Sequence, residues 1–140
     1  MTDKHNELEE GLELQLDFKK LAKAVSQSAE IIPVAVQNAD TQEVILVAYI
    51  NKLAFDETVK TRIATFWSTS RNELWVKGMT SNNYFEVLEI RVNCEQNSVL
   101  YIVRPKGQSI CHTKNSQGQA RNCYYRRLNL DTGKLENLDP

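Results

Sequence analysis

Apolar residues recur at Phe18, Leu21, Ala22 and Val25, the i, i+3, i+4, i+7 spacing of one helix face. Asp17 stands where its carboxylate can cap that helix, which should end near residues 28–30. The segment 31–37 follows as a strand, with Pro33 placing it at a sheet edge or at a strand start. A turn rich in Asn, Asp and Thr at 38–42 precedes the β-branched, nearly all-apolar run 43–50, which reads as a buried strand. Asn51 should cap a short helix from Lys52 to about Thr61 that buries Leu53, Phe55 and Val59. Segments 63–68 and 73–77 flank the polar connector 69–72 as a hairpin. Over 85–94 the period is two, with Leu88, Ile90, Val92 and Cys94 on one face and Glu89, Arg91 and Asn93 on the other. A strand at 98–104, a turn at 105–107 and a segment 110–127 with a polar insert at 114–122 complete the pattern. Two helices and about six strands joined by short connections predict one sheet-dominated α+β domain. Residues 1–16 read as an acidic, flexible lead-in, 17–130 as the domain and 131–140 as a polar tail.

Length and charge narrow the function. A chain of 140 residues suits one domain and buries enough surface to need no disulfide staple. Seventeen basic and eighteen acidic residues leave a net charge of −1, which argues against a nucleic-acid binder. No apolar run is long enough to cross a bilayer, and the polar start carries no secretory pattern. The expectation is a cytoplasmic protein with reduced thiols.

The three cysteines are Cys94, Cys111 and Cys123. Three thiolates make a competent zinc set that leaves a fourth position for water, and such water loses its proton near neutral pH. Their spacing has no CxxC pair, so buried, incidental thiols fit the spacing as well. His112, beside Cys111, is either an ordinary polar residue or a proton shuttle.

Particular stretches add more: Ile32-Pro33-Val34-Ala35-Val36-Gln37, Ala48-Tyr49-Ile50-Asn51, Phe66-Trp67-Ser68-Thr69-Ser70-Arg71, Glu73-Leu74-Trp75-Val76-Lys77-Gly78, Thr80-Ser81, Cys111-His112-Thr113 and Cys123-Tyr124-Tyr125-Arg126. In this order they resemble the phosphoribosyl-AMP cyclohydrolase family of histidine biosynthesis, over roughly residues 31–126. The resemblance implies a pseudo-barrel of strands capped by a helix, and a homodimer whose interface completes a zinc site. It implies that Cys94, Cys111 and Cys123 hold the zinc, and that His112 moves protons during hydrolysis of the N1–C6 bond of a nucleotide's adenine ring. Ser68, Ser70, Arg71, Lys77, Thr80 and Ser81 fall in segments that line the family's substrate pocket, and such groups suit phosphate or ribose oxygens. Arg71 and Lys77 read equally as solvated charges at a hairpin. Trp67 and Trp75 read as core residues rather than base-stacking ones.

The chain also departs from that family. The family's Asp-Cys-Asp-x-Asp, whose carboxylates bind magnesium, is here Asn93-Cys94-Glu95-Gln96-Asn97. Magnesium wants hard anionic oxygens, so the degenerate set Asn93, Glu95 and Asn97 should bind it weakly. A histidine that commonly follows Thr-Ser-Gly is missing at Asn82-Asn83, and the loop between the last two cysteines is longer. The leading expectation is a zinc-dependent phosphoribosyl-AMP cyclohydrolase whose use of magnesium is left open, since Glu95 with substrate phosphate could still hold a partly hydrated ion. The alternatives are a paralogue that opens another purine-like or pteridine-like ring, and a non-catalytic zinc-containing dimeric binding protein.

Overall fold

The computed structural model describes residues 4–20, 23, 30–76, 83–107, 114–119 and 121–140. Its elements are α1 (Lys4–Glu10), β1 (Ile32–Asn38), β2 (Val44–Ile50), α2 (Lys52–Thr61), β3 (Thr65–Ser68), β4 (Glu73–Val76), β5 (Phe85–Val92), β6 (Val99–Pro105), β7 (Arg126–Leu128) and β8 (Leu135–Asn137). This is the β-rich α+β class that the hydrophobic pattern predicts. Four strands form one mixed sheet in the order β2-β1-β6-β5, and β3-β4 and β7-β8 are separate hairpins.

β1 pairs antiparallel with β2 and parallel with β6. It is therefore an interior strand, and Pro33 is tolerated because the parallel ladder begins only at Val34. Aligned rows Ala48–Val34–Val99–Val92 and Leu46–Val36–Tyr101–Ile90 cross all four strands. Val34, Val36, Val99, Tyr101 and Val103 are buried and form the centre of the core with Phe66 and Phe85. The expected alternation on β5 changes phase. The register shifts between Val87 and Glu89, so Leu88 is an extra residue, exposed at the bulge. Phe85 and Val87 face the core before it and Ile90 packs there after it.

α2 has the predicted bounds. The Asn51 side chain caps it by accepting from the Ala54 backbone N–H at 2.9 Å, and Arg62 closes it in the left-handed region at φ 63°. The buried face differs from the expected one. Ala54 and Thr58 are buried and Phe55 packs on the core, whereas Leu53 and Val59 are exposed. Thr58 wins the inner position because its hydroxyl can satisfy backbone there. It donates to Ala54 O at 2.9 Å and accepts from Thr65 N at 2.9 Å, tying α2 to β3. Before β3, the chain hydrogen-bonds to β5 through Ala64 N to Phe85 O at 3.0 Å and Val87 N to Arg62 O at 2.8 Å. β3 then packs against β2, so this crossing segment covers the core from one sheet edge to the other, with α2 against it.

Asp17 caps as expected: its carboxylate accepts from the backbone N–H groups of Lys19 and Lys20, both at 3.0 Å. Phe18, expected on the buried stripe, is 85% exposed, and Leu21, Ala22 and Val25 lie outside the described residues. The lead-in, expected to fray, carries α1, and the tail, expected to be merely polar, supplies β8. Each end holds the other. The Leu135 N–H donates to Leu12 O at 2.9 Å, and Arg126 donates to Gly11 O at 2.8 Å and Leu8 O at 2.9 Å. Acidic residues near the start thus meet a basic stretch near the end, a pairing of distant segments that a local pattern does not reveal.

Candidate functional site

The β3-β4 hairpin carries three of the candidate substrate residues. Phe66 and Trp75 are cross-strand partners whose ring centroids lie 5.2 Å apart, anchoring the hairpin on the core. The turn beyond them gathers polar groups. Ser68 Oγ accepts from the Arg71 backbone N–H at 3.3 Å and lies 3.4 Å from Ser70 Oγ. Arg71 Nε lies 3.5 Å from Glu73 Oε1, and both side chains are solvent-exposed. Trp75 packs against the core as expected, whereas half-buried Trp67 lines a cavity of about 400 Å³ with Asn51, Lys52, Leu53 and Asn72.

Cys94 sits in the turn between β5 and β6, exposed and outside any disulfide. Side-chain amides build this turn. Asn93 Oδ1 accepts from the backbone N–H of Asn97 at 2.9 Å and of Ser98 at 3.0 Å. Asn93 Nδ2 donates to Asn97 Oδ1 at 2.6 Å, and Asn97 Nδ2 donates to Glu95 Oε2 at 3.3 Å. A second cavity of about 290 Å³ runs from Gln96 in this turn to Asn51 and Lys52 at the start of α2. Both cavities therefore share the α2 N-terminus, which brings the serine-arginine hairpin and the Cys94 turn to one end of the molecule.

Cys123 lies elsewhere. Its backbone N–H donates to Ile45 O at 2.8 Å, so it docks on β2 near the strand's start. The Cys94 turn instead projects beyond the row containing Ala48, toward the end of β2. The offset along β2 from Ile45 to Ala48 alone is roughly 10 Å. Two sulfurs on one zinc lie within about 4 Å of each other. Cys123 lines its own cavity of about 280 Å³, with Tyr124, Arg126, Leu135 and residues of the N-terminal segment. Burial, then charge at Cys123 and at Tyr49, pushes the Tyr124 phenol up from its ordinary pKa. Among the described residues no three His, Cys, Asp or Glu side chains gather as a metal cluster. Lys77, Thr80, Ser81, Cys111 and His112 lie outside the described residues.

The model of the phosphoribosyl-AMP cyclohydrolase family matches residues 46–125, a stretch that spans the hairpin, the Cys94 turn and Cys123. The chain belongs to the phosphoribosyl-AMP cyclohydrolase family. It is 43% identical over 120 residues to the phosphoribosyl-AMP cyclohydrolase of Archaeoglobus fulgidus, covering 86% of this chain and 96% of that one. It is 37% identical over 118 residues to that of Desulfatibacillum aliphaticivorans, covering 84% and 85%. It is also 44% identical over 98 residues to a histidine biosynthesis bifunctional protein of Thermus thermophilus, covering 70% of this chain and 43% of that longer one.

The sequence raises two metals, zinc and magnesium. Cys94 and Cys123 are exposed thiols, soft donors of the kind that zinc takes, so the donor chemistry fits zinc. Magnesium does not fit the β5-β6 turn. Two of its three candidate side chains are neutral amides, and their oxygens already accept hydrogen bonds from within the turn. The residues missed from sequence are Glu10, Arg121 and Tyr125, which surround the Cys123 segment. Tyr125 stood in the Cys123-Tyr124-Tyr125-Arg126 motif without a role, and the signal for Glu10 and Arg121 was the acidic lead-in against the arginines at 121, 126 and 127.

Proposed function

We propose that this protein is a zinc-dependent hydrolase that opens the N1–C6 bond of the adenine ring in phosphoribosyl-AMP, and that it works as a homodimer without a magnesium site at Asn93, Glu95 and Asn97. The observation that carries the reading is the family match across residues 46–125, with 43% identity to a relative of that name over nearly its whole length. When bound by Cys94, Cys111 and Cys123, zinc would supply the positive charge that lets water lose its proton near neutral pH. In the hydrolysis a water oxygen adds to C6, the N1–C6 bond breaks, and the electron pair leaves on N1, which takes up a proton. No fragment is lost: C6 becomes a carboxamide carbon. His112 is the residue assigned to moving the proton. Ser68, Ser70, Arg71, Lys77, Thr80 and Ser81 are assigned to phosphate and ribose, and the hydroxyl cluster at Ser68 and Ser70 beside Arg71 suits such oxygens.

Two observations favour a dimer. Cys94 and Cys123 occupy different ends of the sheet within one chain, so a site using both draws them from two copies. The outer face of the sheet also carries the apolar row Val47, Ala35 and Leu100, and Val47 is 46% exposed. His112→Ala tests the catalytic assignment. Turnover of phosphoribosyl-AMP should fall roughly 10²–10⁴-fold while zinc content stays unchanged. Unchanged turnover would remove the role, and loss of zinc would make His112 a ligand instead.

A further inference from the structure

The segment that carries Cys123 is bolted to the start of the chain. Arg121, two residues before Cys123, has a side chain only 5% exposed. A guanidinium buried that far requires partners. It donates through Nη1 to Glu10 Oε1 at 2.9 Å and through Nε to Asp139 O at 2.8 Å, and its charge stands 4.3 Å over the Tyr125 ring. On the other side of Cys123, the Tyr125 hydroxyl donates to Glu9 O, and Arg126 donates to Leu8 O and Gly11 O. Residues Leu8 and Glu13 to Leu16 then form one wall of the cavity that Cys123 lines. The segments on both sides of Cys123 are therefore tied to the N-terminal strap, while Cys123 itself is tied to β2 through its backbone bond to Ile45 O.

We propose that residues 8–16 act as an intramolecular clamp that holds the Cys123 thiol in its metal-binding position, with Arg121 as the positioning residue that locks the clamp. This rests on the zinc reading above. Groups behind a ligand that fix its orientation commonly govern metal affinity, and their loss costs roughly 10–100-fold. Coupling is reciprocal, so zinc must in turn stabilise the docked strap.

The test uses the full chain, stripped of metal and then titrated with zinc against a competing chelator. Arg121→Met removes both hydrogen bonds and should weaken zinc binding roughly 10–100-fold. Glu10→Gln, a milder change at a half-exposed partner, should weaken it by a smaller factor and guards against misfolding of the first variant. In the native sequence, zinc should slow amide exchange at Gly11 and Leu135, and in Arg121→Met that protection should shrink. A merely structural role would lower the unfolding temperature of the metal-free variants but leave zinc affinity and zinc-dependent protection unchanged. That result overturns the clamp. A native chain that takes up no zinc would overturn the zinc reading itself, and the clamp with it.

Discussion

Asn93 and Asn97 show how two neutral atoms change what a turn can hold. With aspartates there, carboxylate oxygens would crowd one another at the 2.6 Å that now separates Asn93 Nδ2 from Asn97 Oδ1, and a cation would be needed to offset the repulsion. With asparagines, a donor meets an acceptor and the turn closes unaided. The prediction belongs to these residues. In the native chain, added magnesium should leave the thermal unfolding temperature unchanged. In Asn93→Asp/Glu95→Asp/Asn97→Asp the metal-free protein should unfold at a lower temperature, and magnesium should raise it again. A magnesium-dependent rise in the native chain would contradict this account. The replacement of acids by amides was plain in the sequence. That the amides bind one another was not, because it depends on a turn whose Gln96 adopts φ 57°.

At the scale of elements, hydrophobic periodicity located the strands of the main sheet and α2 well and misjudged two faces. α2 begins and ends as predicted because capping is local chemistry: Asn51 and the residues after it lie within one turn. Its inner face was misread because a threonine displaced larger apolar side chains. Thr58 is completely buried; its hydroxyl accepts from the Thr65 N–H at 2.9 Å, and its one proton goes to Ala54 O at 2.9 Å. Thr58→Val keeps the shape and leaves the Thr65 N–H unpaired, so it should cost about 1–3 kcal/mol in denaturant unfolding. An unchanged stability would show that the hydroxyl does not hold α2 to β3. On β5 a single extra residue reversed the expected alternation, and a bulge of that kind leaves no mark in a period-two pattern. Gly107 marks a turn that was legible. Its φ is +83°, and a Cβ there would fall 1.7 Å from Asn83 Oδ1.

At the scale of the whole molecule, the candidate groups among the described residues lie at two ends of one sheet. The hairpin with Ser68, Ser70 and Arg71 and the turn with Cys94 meet around the start of α2, and Cys123 sits near the start of β2 under the N-terminal strap. Sequence motifs named these residues but could not show this separation, because order along the chain carries no distance. If the outer face bearing Val47, Ala35 and Leu100 packs against a second copy, Val47→Glu should yield monomers by sedimentation while each monomer stays folded. A variant that remains dimeric would place the interface elsewhere. Catalysis is the claim on which the rest depends, and one assay reaches it most directly. Zinc-loaded protein is mixed with phosphoribosyl-AMP, and opening of the purine ring is followed by its ultraviolet absorbance, with and without added magnesium. The account predicts turnover far above the uncatalysed rate, and the same rate whether or not magnesium is present. No turnover above background would contradict it.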